Sequence, residues 1–424
     1  MMSYNYPTIA ETLYVNQLPN GMMVYLIPKK HFMETTGVLT SRFGSLDNKF
    51  TAMGQAYQYP EGVAHFLEHK LFELSEGLDA ATEFTKLGAE SNAYTTVDKT
   101  SFYFSTTGNL SESLALLQEF VMSTHLTEES VEREKEIIGQ EIEMYQDDAD
   151  FRLYQGILEN LFPKTALAED IAGSRNSVNQ ISVKDLEENH QFFYPPSNME
   201  LVLVGDFEPE QIIEEIKIQQ NKAEQREFLP LERQAIVYHS VIKNRSMHMD
   251  VSLSKLAVGY RGPKPDGGRS LLEQKLSLQL FFTMLLGWTS ETNQAWYDSR
   301  QIDDSFDLEI EVKEEYQYLI ISLDTIEPIA MGTRLKQFLT HFERSKDLTE
   351  AHFQLLKREL YGDFLRSLDS VEHLAMQFVT YHLGEETYFD VPKLIEQLTL
   401  EQVVAVGREF LASADVTDFT IFPK

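Results

Sequence analysis

Residues 181–186 read Ile-Ser-Val-Lys-Asp-Leu, and the chain runs on through Phe193 to the apolar strand Leu201-Val202-Leu203-Val204, closed by Gly205-Asp206. Residues 398–403 read Leu-Thr-Leu-Glu-Gln-Val and lead through Phe410 to a second apolar strand, Phe419-Thr420-Ile421-Phe422. The same helix–loop–strand pattern therefore occurs twice in a chain of 424 residues. Such a repeat points to two copies of an α+β unit of roughly 200 residues each. Between them lies a polar stretch rich in Gln, Glu and Lys with Pro230 near its end, which reads as a linker. The expected division is residues 1–218, a linker at 219–234, and residues 235–424.

Working outward, the amino-terminal half opens with a strand at residues 22–27 after a Pro19-Asn20-Gly21 turn, then a second at residues 37–40. Residues 62–73 carry Val63, Phe66, Leu67 and Leu71 at helical spacing. Two further strands, at residues 91–95 and 101–104, flank a turn around Asp98-Lys99. A long helix is expected over residues 127–147, starting at Thr127 as cap with an acidic first turn.

Composition narrows the function classes. Apolar residues make up 42% and charged residues 24%, the proportions of a globular protein rather than a disordered one. A net charge of −31 repels nucleic-acid phosphates and anionic membranes, so neither is an expected partner. With no cysteine there are no disulfides, no thiolate nucleophile and no Cys-ligated metal. The first residues lack a basic segment followed by an apolar one, and the apolar stretch at 276–288 is too short to span a bilayer. The expected location is the cytoplasm.

Chemistry concentrates in His65-Phe66-Leu67-Glu68-His69. On a helix, His65 and His69 project one turn apart from one face, and both imidazoles can reach a single cation. Glu68 leaves the helix at another angle, able to approach a water there without becoming a ligand. Chance predicts about 0.03 such matches in this chain. The apolar neighbours imply a helix buried around most of its girth, where two histidines and a glutamate are costly unless a cation satisfies them.

Two imidazoles do not complete a catalytic zinc site, which has three protein ligands and one open position. The helix at 127–147 offers Glu134 and Glu141, both on or beside the stripe marked by Ile138, Ile142 and Tyr145. For them the pattern leaves two roles open, salt bridges at the stripe's edge or metal ligation. Glu132, Glu136 and Glu143 point outward. His190, His239, His248, His341 and His373 show no ligand spacing, and no glycine loop for phosphate is present.

The segments HFLEHKLFE (65–73), GAESNAYT (88–95), EKEIIGQEIE (134–143), DIAG (170–173) and YPPSNM (194–199), in that order, resemble the pitrilysin/insulysin family of zinc peptidases. Within it the likeness is to a bacterial group associated with modification of elongation factor P. The resemblance implies an α+β fold of two homologous domains, each an antiparallel-rich sheet packed with helices, together enclosing a chamber. It implies zinc as cofactor, with His65, His69 and Glu141 as ligands and Glu68 as general base for peptide hydrolysis. It also implies Glu134 as the acidic residue supporting the site, and Ser91, Asn92, Ala93 and Tyr94 as the edge strand on which an extended peptide docks.

One departure matters. Active members carry an arginine and, seven residues later, a tyrosine that stabilise the oxyanion; the matching positions here hold Tyr297 and Asp304, with Arg300 out of phase. A carboxylate repels a developing oxyanion. The leading expectation is a zinc peptidase acting on unfolded peptides, working with a paralogous chain as a heterodimer or with a second copy as a homodimer. The competing expectations are a non-catalytic structural or assembly subunit, and a metal-binding factor in a modification pathway.

Overall fold

The computed structural model describes residues 1–75, 77–222, 228–383 and 386–424. These form two compact units: one of Met1–Glu143, Asp170–Gln234 and Leu365–Thr380, the other of Met144–Glu169, Ala235–Phe364 and Tyr381–Lys424. Each unit thus draws on both halves of the sequence.

The first unit is built on a sheet of seven strands: β1 (Met2–Tyr6), β2 (Glu11–Gln17), β3 (Met23–Pro28), β4 (Thr35–Ser41), β5 (Ala89–Thr95), β6 (Thr100–Thr106) and β7 (Met199–Gly205). Their order is β1-β2-β3-β7-β4-β6-β5. The second unit has five: β8 (Asn244–Met249), β9 (Ser254–Arg261), β10 (Asp307–Val312), β11 (Gln317–Thr325) and β12 (Asp415–Pro423), in the order β8-β12-β9-β11-β10. The five-strand pattern is the same in both. In the first sheet β7 runs parallel to β3 and antiparallel to β4; in the second β12 runs parallel to β8 and antiparallel to β9. All other ladders in the two sheets are antiparallel. The fold is therefore α+β with two homologous, antiparallel-rich halves, and β1 and β2 are an addition to the first.

The repeat that announces this duplication has a local cause. Ahead of β7, Ser182 caps the helix Val183–Phe193: its Oγ accepts from the Asp185 amide at 3.2 Å, and Asp185 accepts the Ser182 amide at 2.8 Å. Ahead of β12, Thr399 and Gln402 make the same reciprocal pair at the start of the helix Leu400–Ser413, at 3.3 and 2.9 Å. Reciprocal capping satisfies two otherwise free backbone donors, fixing where each helix begins.

The core of the first unit is aromatic. Phe43 stacks on Phe193 with ring centroids 4.3 Å apart, and Phe66, Phe102, Phe104 and Phe120 are all fully buried beside them. Of the expected linker, residues 223–227 lie outside the described residues. Its end, Leu231–Arg233, adds antiparallel to Lys49–Ala52, and Arg233 holds the buried Asp47. Among the described residues, no helix is long and apolar enough to cross a membrane.

Candidate metal centre

The histidine-bearing helix spans Val63–Leu71. Its start is fixed by close backbone approach: Gly62 sits at φ +89°, and a Cβ there would lie 2.4 Å from the Ala172 carbonyl oxygen. Gly173 returns the constraint at φ +77°, with a Cβ position 2.5 Å from the Glu61 oxygen. Only glycine meets both demands at a left-handed φ. Val63, Ala64, Phe66, Leu67 and Leu71 are buried, as the spacing predicts, and Glu68 is buried with them at 8% exposure. The two histidines remain half-buried on the one open side.

The second element, the helix Glu128–Asp147, is preceded by Thr127, whose Oγ1 accepts the Ser130 amide at 3.1 Å. Ile138 and Ile142 are buried on its inner stripe, which brings the half-buried Glu134 and Glu141 to the histidines. Glu132, Glu136 and Glu143 face outward to Lys135 and Arg175.

Glu141 lies between the two rings. Its Oε1 is 3.8 Å from His65 Nε2, and its Oε2 is 3.5 Å from His69 Nε2. One ligand atom from each of these residues falls within 4.8 Å of the others, the single such group among the described residues. The separations exceed hydrogen bonds but resemble the edges of a tetrahedral site: bonds of about 2.0–2.1 Å to one ion place its donors roughly 3.4 Å apart. The three residues fit a zinc-sized cation.

The electrostatics of His65 agree with that fit. Burial, reinforced by His69, pushes the His65 pKa down to about 3, leaving the neutral imidazole a metal needs. Burial also pulls against a charged His69. There the hydrogen bond from Nδ1 to Glu134, 3.0 Å long, and the carboxylates of Glu134, Glu68 and Glu141 prevail, so its pKa is raised. That bond holds the ring with Nε2 turned toward Glu141 and strengthens the nitrogen as a donor. Nδ1 of His65 is buried without a hydrogen-bond partner among the described residues. For Glu68, burial raises the pKa against the opposing Thr95 bond and His69.

Among the described residues, β5 is the outer strand of its sheet, paired with β6 alone. Ser91, Ala93 and Tyr94 are half-buried along it and Asn92 is exposed. At its end Thr95 donates to Glu68 Oε2 at 2.5 Å, so this strand and the histidine helix are joined side chain to side chain. Sequence reasoning missed this link, because a threonine in a strand reads as an ordinary β-former. In the second unit, Tyr297 lies near the end of the helix Glu291–Asp298 at 48% exposure, and Asp304 is exposed in the turn that follows. His190 Nε2 lies 3.0 Å from the Val121 carbonyl oxygen.

Comparison with known proteins agrees along the whole length. Residues 52–175 match the insulinase family, peptidase family M16, and residues 180–360 match the M16 inactive domain. The uncharacterized zinc protease YmfH of Bacillus subtilis is 36% identical over 99% of this chain and 98% of its own. The zinc protease PqqE of Helicobacter pylori is 24% identical over 96% of this chain and 91% of its own. The crystal structure of an M16-like peptidase from Alicyclobacillus acidocaldarius, 31% identical, superposes with a TM-score of 0.91 and covers 100% of both chains. With both halves matched in order and a relative above 30% identity end to end, this chain belongs to the insulinase family of peptidases, M16.

Proposed function

We propose that the chain is a zinc-dependent peptidase of unfolded peptides, with His65, His69 and Glu141 holding the metal. The observation that carries this is the convergence of two imidazoles on one carboxylate at 3.5 and 3.8 Å, with His69 oriented from behind by Glu134. Zinc, when bound, supplies a Lewis acid for water and for the scissile carbonyl. Glu68 acts as general base: it is one residue from His69, outside the donor trio, and its carboxylate takes a proton from water and returns it to the leaving amine. An extended peptide adds to β5 along Ser91, Asn92, Ala93 and Tyr94 by main-chain hydrogen bonds, which makes recognition tolerant of side chains. The proposed place of action is the cytoplasm, in keeping with a cysteine-free composition.

A partner follows from the second half. Tyr297 and Asp304 offer no oxyanion donor of the family type, so a paralogous chain in a heterodimer supplies it; a second copy, which carries the same two residues, would instead complete the chamber. Glu68→Gln should leave folding and metal content unchanged while removing cleavage of an unstructured reporter peptide by the competent assembly. Measured zinc content, circular dichroism and turnover together check this; full turnover by that variant contradicts the role given to Glu68.

A further inference from the structure

We infer that Thr95 is a positioning residue that holds the Glu68 carboxylate and couples it to the peptide-docking strand, a reading that rests on the proposed role of Glu68. Thr95 Oγ1 donates to Glu68 Oε2 at 2.5 Å. It also lies 3.3 Å from Thr100 Oγ1, and Thr100 Oγ1 is 2.8 Å from the Phe43 carbonyl oxygen, to which it donates. A hydroxyl has one proton. The proton of Thr100 goes to the Phe43 carbonyl and that of Thr95 to the Glu68 carboxylate, which can only accept, so the 3.3 Å pair between the two threonines shares no proton. The direction of the bond is set. The two threonines face each other as ladder partners at the β5–β6 turn, so the donor stands on paired backbone rather than on a loop.

Two consequences follow. A terminal carboxylate rotates about a broad torsion, and this bond removes that freedom. With Oε2 engaged, Oε1 is the oxygen left to carry the proton in the proposed reaction. The same strand that receives the peptide backbone therefore sets the angle of the base.

The test separates Thr95 from Glu68. In the full chain without metal, the Glu68 carboxylate stretch is located as the infrared band lost in Glu68→Gln. Thr95→Val, which keeps the shape and removes the hydroxyl, should shift that band; Thr95→Ser should return it. In the zinc-loaded, cleaving assembly Thr95→Val should lower kcat by on the order of 10²-fold, the loss a small misplacement of a catalytic group produces, with KM little changed. Thr95→Ser should recover most of it. An unshifted band in Thr95→Val, a serine variant that behaves like the valine one, or a change confined to KM would each overturn the inference. If instead Glu68→Gln cleaves normally, the proposed role of Glu68 fails, and the infrared comparison still decides whether Thr95 holds the carboxylate.

Discussion

Replacing Glu141 with glutamine is expected to weaken zinc binding more than any other single carboxylate change in this chain. The wild type should hold about one zinc, since three protein donors converge on one position. Glu134→Gln should lower affinity by about 10–100-fold, the usual effect of weakening a ligand's outer partner, because the acceptor at 3.0 Å from His69 loses its negative charge. Glu141→Gln should exceed that range, because it removes a charged donor itself. Glu68→Gln should bind zinc nearly as the wild type does, since its carboxylate is turned to Thr95. Competition against a chromophoric chelator ranks the three. Equal losses for Glu141→Gln and Glu68→Gln would overturn the assignment of ligand and base.

The isolated chain should cleave unstructured peptides slowly, by a factor of about 10²–10³ below the complete assembly, the loss that follows removal of one oxyanion donor elsewhere. His65, His69 and Glu141 converge as a group that could hold a metal ion, whereas the positions at which the family resemblance implies an arginine and a tyrosine hold Tyr297 and Asp304. Mixing with the correct paralogous chain should restore cleavage, and Glu68→Gln in this chain should abolish it again. Titrating candidate paralogues against a fluorogenic peptide reads this directly. Fast, Glu68-dependent cleavage by the chain alone removes the need for a donor from a partner. Full zinc loading with no cleavage beside any paralogue favours a non-catalytic role.

Much of the fold is written locally. The capped helix before each apolar strand marks the duplication, because Ser182 with Asp185 and Thr399 with Gln402 are short-range signals that act within one turn. The histidine helix was legible for the same reason: its apolar residues repeat at the helical period, and the polar exceptions stand out against them. Glu134 and Glu141 could be placed on a stripe but not assigned, because periodicity says which side of a helix a residue takes and not what it meets. Their approach to His65 and His69 depends on packing across some 70 residues of chain. Thr95 is illegible for a related reason, since its partner is 27 positions away on another element. The inclusion of Met144–Glu169 in the second unit, and of Leu365–Thr380 in the first, is likewise a matter of long-range contact that no local pattern records. DIAG at residues 170–173 carries resemblance in the sequence; only the structure shows why, with Gly62 and Gly173 pressed backbone to backbone.

X-ray absorption at the zinc edge, on the purified and zinc-loaded chain, addresses the metal centre most directly. Two imidazole nitrogens at about 2.0–2.1 Å with oxygen ligands completing the shell are expected, and Glu141→Gln should alter the oxygen part while the imidazole part persists. A chain that takes up no zinc, or a shell without two imidazoles that is unchanged by Glu141→Gln, would contradict a centre built from His65, His69 and Glu141.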